Sequence, residues 1–130
     1  MNARSRSTAV TRTAFVAALL PLASCAVPGC HDMLSAQLLF GAPENPAAFT
    51  AFLDRNVTPR FPAGLTVLDA AGRWQAPDGR LTQERSKLVL IVAPPGPATI
   101  ARLQTIRDEY KTQFHQQSVG LLMARTCADF

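Results

Sequence analysis

In the stretch NVTPRFPAGLTVLDAAGRWQ, residues 56–75, two prolines enclose an Arg-Phe pair. Pro59 and Pro62 fix φ on either side, so the Arg60 guanidinium is presented at low entropic cost to a carboxylate or a phosphate. A bidentate ion pair to Glu84, holding this loop to a sheet, would satisfy the same residue. Glu84 and Ser86 share one face of a strand by period two, and that face continues with Leu88 and Leu90. A carboxylate at the polar end of an apolar surface, beside an arginine, suits a general base. It suits a structural partner as well. Tyr110 and Phe114 lie on an apolar helical stripe and read as core. Trp74 either caps a hairpin arm or lines a pocket. Gln117 and Ser118 fall where a helix hands over to a strand, and both capping and ligand contact explain them.

Other chemistries find less support. His31 lies between Cys30 and Asp32, but no second cluster has ligand spacing and His115 is solitary, so no metal is expected. No Gly-rich phosphate loop, serine-nucleophile motif or catalytic-cysteine signature occurs, and no cofactor is expected. The Asn56-Val57-Thr58 sequon carries little meaning behind a bacterial-type signal.

That signal is written at the N-terminus. Arg4, Arg6 and Arg12 form a basic region ahead of the apolar run TAFVAALLPLA. The run is far shorter than the ~20 apolar residues of a spanning helix. Leu22-Ala23-Ser24-Cys25 resembles the lipobox of bacterial lipoproteins, in which the cysteine is lipidated and becomes the first residue; cleavage near Ala23 or Ala26 is the ordinary secretory alternative. Residues 1–24 are therefore expected to be a signal peptide, residues 25–32 a tether, and residues 33–130 one domain. The expected location is the periplasmic face of the cell envelope, lipid-anchored through Cys25. Ala26 after the cysteine favours the outer membrane in a two-membrane bacterium.

Removing the signal also changes the charge. The chain of 130 residues holds 13 Lys and Arg against 9 Asp and Glu. Three of the basic residues precede Cys25, which leaves 10 − 9 = +1. No basic patch remains to engage nucleic acid. Of three cysteines, lipidation of Cys25 leaves Cys30 and Cys127 as a pair, and an oxidising compartment permits them to bridge.

The elements that must hold the candidate residues follow from the pattern. Residues 33–41, MLSAQLLFG, read as a strand ended by a Gly-Ala-Pro breaker. Asn45 reads as an N-cap with Pro46 at the first helical position; Ala48, Phe49, Phe52, Leu53 and Val57 repeat at helical spacing until Pro59. GLTVLDAAGRWQ and RLTQERSKLVLIVA read as strands joined by a Pro-Asp-Gly turn, with a bulge expected at Gly72. Residues 88–93 are apolar on both faces, as a central strand requires. Beyond the stiff Pro94-Pro95-Gly96-Pro97 loop, Ile100, Leu103, Ile106, Tyr110 and Phe114 mark a second helix, and SVGLLMARTCADF a last strand. The order β-α-β-β-α-β predicts an α+β ferredoxin-like sandwich, with a four-stranded antiparallel sheet and both helices on one face. In that topology the first and last strands are neighbours, which brings Cys30 beside Cys127 independently of the cysteine count.

Thr58 to Pro62, Gly64 to Val67, Gly72 to Trp74, Glu84 to Ser86, Tyr110 to Phe114 and Gln116 to Val119 together resemble a family of small exported bacterial proteins, the domain of unknown function numbered thirty-five seventy-four. The likeness runs from about Leu38 to Phe130. Gln117 stands where the family carries an acidic residue. The resemblance implies the fold and export and brings no activity with it. Two functions stay open. One is a non-catalytic envelope lipoprotein that binds a small ligand, peptide or protein. The other is a small cofactor-independent enzyme of the dimeric α+β barrel type, with a pocket around Arg60, Glu84 and Tyr110. The two-sided apolar strand also predicts a homodimer through the open sheet face.

Overall fold

The computed structural model describes residues 29–130; the expected signal peptide, residues 1–24, and Cys25 lie outside the described residues. Its elements follow the order β1 (His31–Gly41), α1 (Pro46–Phe52), β2 (Thr66–Gln75), β3 (Leu81–Ala93), α2 (Pro97–Phe114) and β4 (Gly120–Ala128). The strands form one antiparallel sheet in the order β2-β3-β1-β4, so β3 and β1 are central as the two-sided apolar run requires. This is the ferredoxin-like arrangement.

Period two divides each strand between two faces. Leu34, Ala36, Leu38 and Phe40 of β1 and Val89 and Ile91 of β3 are buried against the helices. From the helical layer, Phe49, Phe52, Leu103, Ile106 and Tyr110 close the core. Burying a side chain of this size contributes roughly 1.5–3 kcal/mol, so this layer sets the fold. Phe40, Phe49, Phe52, Tyr110 and Phe114 form one aromatic cluster, with Phe40 and Tyr110 centroids 4.5 Å apart and Tyr110 and Phe114 4.4 Å apart.

Helix α1 begins as expected: the Asn45 side chain accepts from the Ala47 N–H at 3.0 Å and Pro46 follows. It does not stay an α-helix to Pro59. From Leu53 to Val57 the chain widens into a π-turn, where Thr58 N–H reaches Leu53 O at 2.9 Å. The wider turn lets Leu53 and Val57 bury together with Phe52.

Strand β1 starts at His31, two residues before the expected Met33, because β4 pairs with it from His31↔Ala128 onward. The bulge expected at Gly72 is absent. The β2–β3 ladder runs unbroken from Thr66↔Leu90 to Gln75↔Leu81, with Gly72 opposite Glu84. Gly120 has a packing reason to be glycine: a Cβ there would lie 3.1 Å from Leu39 Cβ and Cδ1. Helix α2 opens with its first-turn Ile100 in solvent rather than on the core stripe, and ends at His115 in the left-handed region, φ 53°.

The termini of the sheet are stapled. Cys30 and Cys127 form a disulfide with Cα atoms 5.4 Å apart, as expected from the cysteine count and the topology. Beside it, Arg125 pairs with Asp32 across β4 and β1.

Candidate functional site

The residues singled out from the sequence do not gather around one cavity. Arg60 is held at 2.6 Å by Glu109 of α2, not by Glu84. Its other terminal nitrogen donates to the Asn56 carbonyl, and the Asn56 amide donates to the second Glu109 oxygen at 2.8 Å. Asn56 and Glu109, neither of them a candidate from the sequence, are thus the buttress of the Arg60 loop. The pair is about 30% exposed, with side-chain values of 29% and 32%, so it is worth little as an ion pair alone.

Tyr110 is fully buried in the aromatic cluster, and its hydroxyl donates to the Gly41 carbonyl at 2.6 Å. Burial pushes its pKa from 10.0 up to about 12. A phenol so held is a structural donor with no route to a substrate.

Glu84 and Ser86 lie on the opposite, open face of the sheet, with Ser86 beside Gly41 in register. Glu84 is exposed and makes no ion pair among the described residues. Its Oε1 lies 3.0 Å from where a Gly41 Cβ would stand, and the Gln116 side-chain oxygen is closer still. Gly41 therefore separates Glu84 and Gln116 from the Tyr110 hydroxyl. Trp74 is half exposed, one residue from the end of its arm on the same open face, opposite Thr82. Gln117 and Ser118 are exposed and make no side-chain hydrogen bond to another described residue. The helix is closed instead by backbone donation from His115 and Gln116 to Lys111 O.

A cavity of about 940 Å³ does exist, at the other end of the sheet. One wall is the loop Arg60–Leu65, the other the segment Pro94–Ala98, and the floor is Met33, Leu90 and Val92 of the open sheet face. Its size is at the upper end of small-molecule sites, about 300–1,000 Å³. The walls are stiff for reasons legible in the residues. Pro62, Pro94, Pro95 and Pro97 fix φ. Thr99 Oγ1 donates to Pro94 O at 2.7 Å, and tight turns donate Arg60 N–H to Val57 O and Gly64 N–H to Phe61 O. Gly64 and Gly96 adopt φ +120° and +149°, open to glycine, and nothing stands within 4 Å of the Cβ either would carry.

Polar groups around the cavity are few. Arg60, Arg102, Thr66 and Thr99 line it, and no Asp or Glu does. Arg102 donates to the Arg60 carbonyl at a long 3.5 Å and pairs with no carboxylate among the described residues. Among those residues no three His, Cys, Asp or Glu side chains come together as a metal set.

The family described as Protein of unknown function (DUF3574) matches residues 35–130. The chain belongs to that family. Solved structures similar to this DUF3574 domain show its fold. A phage SAM lyase in the apo state is 15% identical, with a TM-score of 0.55 over 75% of this chain and 86% of that one. The phage SAM lyase in complex with S-methyl-5'-thioadenosine is 14% identical, with a TM-score of 0.55 over 78% and 91% of the two chains. CutA from Synechococcus elongatus is 8% identical, with a TM-score of 0.53 over 75% and 80%. No curated protein sequence matches the chain.

Proposed function

We propose that this DUF3574 domain is an exported, lipid-anchored binding module that holds a small ligand in the cavity between the Arg60–Leu65 loop and the Pro94–Ala98 segment. The observation that carries the reading is the cavity itself: preformed, proline-walled and apolar apart from two arginines and two threonines. Preformed walls lower the ordering cost of binding. The enzyme alternative needs Arg60, Glu84 and Tyr110 in one pocket. Arg60 is paired to Glu109, Tyr110 is enclosed, and Glu84 lies on the other side of Gly41. Export rests on the lipobox-like Leu22–Cys25, and the lipid on Cys25 would supply the anchor.

The open sheet face supports a homodimer as part of the same proposal. Leu39, Leu68, Leu122 and Trp74 stand exposed there, and Glu84 is the one charged residue within the paired register of that face. Four strands at about 4.8 Å spacing and roughly 30 Å in length give a flat face on the order of 600 Å². Side-chain relief brings this near the roughly 800 Å² per partner of a standard interface. Because Met33, Leu90 and Val92 belong to both the face and the cavity floor, a second copy would also roof the ligand site.

A thermal-shift panel tests the binding reading, with apolar acids, alcohols, short peptides and nucleosides, including S-methyl-5'-thioadenosine because a similarly folded lyase binds it. A true ligand at about 100 times its Kd adds roughly 2.7 kcal/mol, which for a domain near 100 residues is a rise of about 10 °C or more. A panel of this breadth with no stabilising compound would count against the binding module.

A further inference from the structure

We infer that the cavity takes an amphipathic anion: a drug-sized apolar body bearing one carboxylate or phosphate head, which Arg102 receives. The inference rests on the cavity reading above and adds the chemical class.

The charge inventory leads there. Nineteen residues line the cavity, among them two arginines and the terminal Phe130, and none of their side chains is acidic. The two arginines differ in what already satisfies them. Arg60 spends its terminal nitrogens on Glu109 and on the Asn56 carbonyl. Arg102 spends one nitrogen on a 3.5 Å contact with the Arg60 carbonyl and meets no carboxylate among the described residues. A guanidinium carries five donors in a planar fork that matches a carboxylate or phosphate two bonds at a time. Arg102, which lines the cavity from α2, therefore has donors left.

The other polar groups offer little competition. Thr99 Oγ1 is committed to Pro94 O, and the Gly64 N–H to Phe61 O. Cations find no acidic side chain in the lining. A neutral apolar molecule would leave Arg102 no better satisfied than before, whereas an anion with an apolar tail satisfies both the guanidinium and the floor of Met33, Leu90 and Val92. The positive end of the 18-residue α2, whose first turn lines the same space, adds to the preference without deciding it. The open space before Gly64 and Gly96 gives the tail room between the two walls.

Isothermal titration of the full mature chain with dodecanoate, dodecyl phosphate, dodecanol and dodecyltrimethylammonium tests the class. Dodecanoate or dodecyl phosphate should bind at least about tenfold more tightly than dodecanol, the size expected for one charge-assisted bond. Which of the two heads is stronger names the source of the anion. Arg102→Gln should remove that tenfold preference and leave dodecanol unchanged; Arg102 is exposed, so the variant should fold normally. Leu90→Trp, which fills the floor, should abolish binding of acid and alcohol alike and so assign the heat to this cavity. Equal affinity for dodecanol and dodecanoate, or a preference that survives Arg102→Gln, overturns the anion class while leaving a neutral-ligand cavity standing. No binding by either anion, with other members of the thermal-shift panel active, likewise overturns the class alone.

Discussion

The chain has a single tyrosine, and that makes its core directly titratable. Tyr110 is fully buried, and burial holds its pKa near 12 instead of 10.0. The sign follows from which form is charged. Tyrosinate is the charged form, so a folded pKa above the unfolded one means that folding favours the proton. The associated stability is complete below pH 10 and is lost as pH rises through 12. A shift of this size corresponds to about 2–3 kcal/mol. Tyrosinate absorbance reports the titration with no background from other tyrosines. The native domain should titrate with a midpoint near 12 and the denaturant-unfolded chain near 10, and the urea midpoint should fall across the same window. Tyr110→Phe, which removes the donor to Gly41 O, should cost about 1–2 kcal/mol at neutral pH and abolish the alkaline loss. A native titration midpoint near 10 would refute the buried-phenol account, because it would mean that water reaches the hydroxyl.

Other consequences follow from the same contacts. The Cys30–Cys127 bridge spans a sequence separation of 97, for which chain entropy gives about 4–5 kcal/mol as an upper figure, so the Cys30→Ser/Cys127→Ser double variant should lose several kcal/mol in urea denaturation. An unchanged midpoint would show that the staple adds nothing. Glu109→Ala releases both Arg60 and Asn56 but in a part-exposed setting, and should cost no more than about 1 kcal/mol. A loss above ~3 kcal/mol would instead make that trio a buried network. Light scattering on the domain without any lipid should give twice the chain mass, and Leu68→Lys on the open face should return the monomer. A monomer at every concentration in the unmodified domain would remove the dimer.

Much of this architecture can be read from spacing. The strand run at residues 33–41, the two-sided apolar run at 88–93 and the helical repeat through Leu103, Ile106 and Tyr110 fix layers and order, and the order places Cys30 beside Cys127. What spacing does not carry is how the chain deforms and what distant segments do together. Pro59 does not push Thr58 out of the helical region, where it stays at φ −55° and ψ −43°, and spacing gives no sign that Leu53–Val57 widens into a π-turn, which answers to the burial of Leu53 and Val57. Glycine weakens a strand, so Gly72 reads as a bulge, yet the ladder passes it without interruption. Glu84 was the nearest carboxylate by motif, but it belongs to the open face, while Arg60 reaches α2 on the other side. Glu109 and Arg102 lie on the polar side of a helix, where a charge normally means solvent. The cavity is least legible of all. Its two walls are about thirty residues apart and meet only because β2 and β3 pair over their full lengths.

The central claim is that ligand chemistry belongs to the proline-walled end of the sheet and not to the Arg60, Glu84 and Tyr110 set. Thermal shifts with the stabilising compounds, compared among the unaltered protein, Leu90→Trp and Glu84→Ala, test it most directly. The account predicts that Glu84→Ala keeps the full shift and that Leu90→Trp loses it. A shift retained by Leu90→Trp and lost by Glu84→Ala would contradict the account and move the site to the opposite end of the sheet.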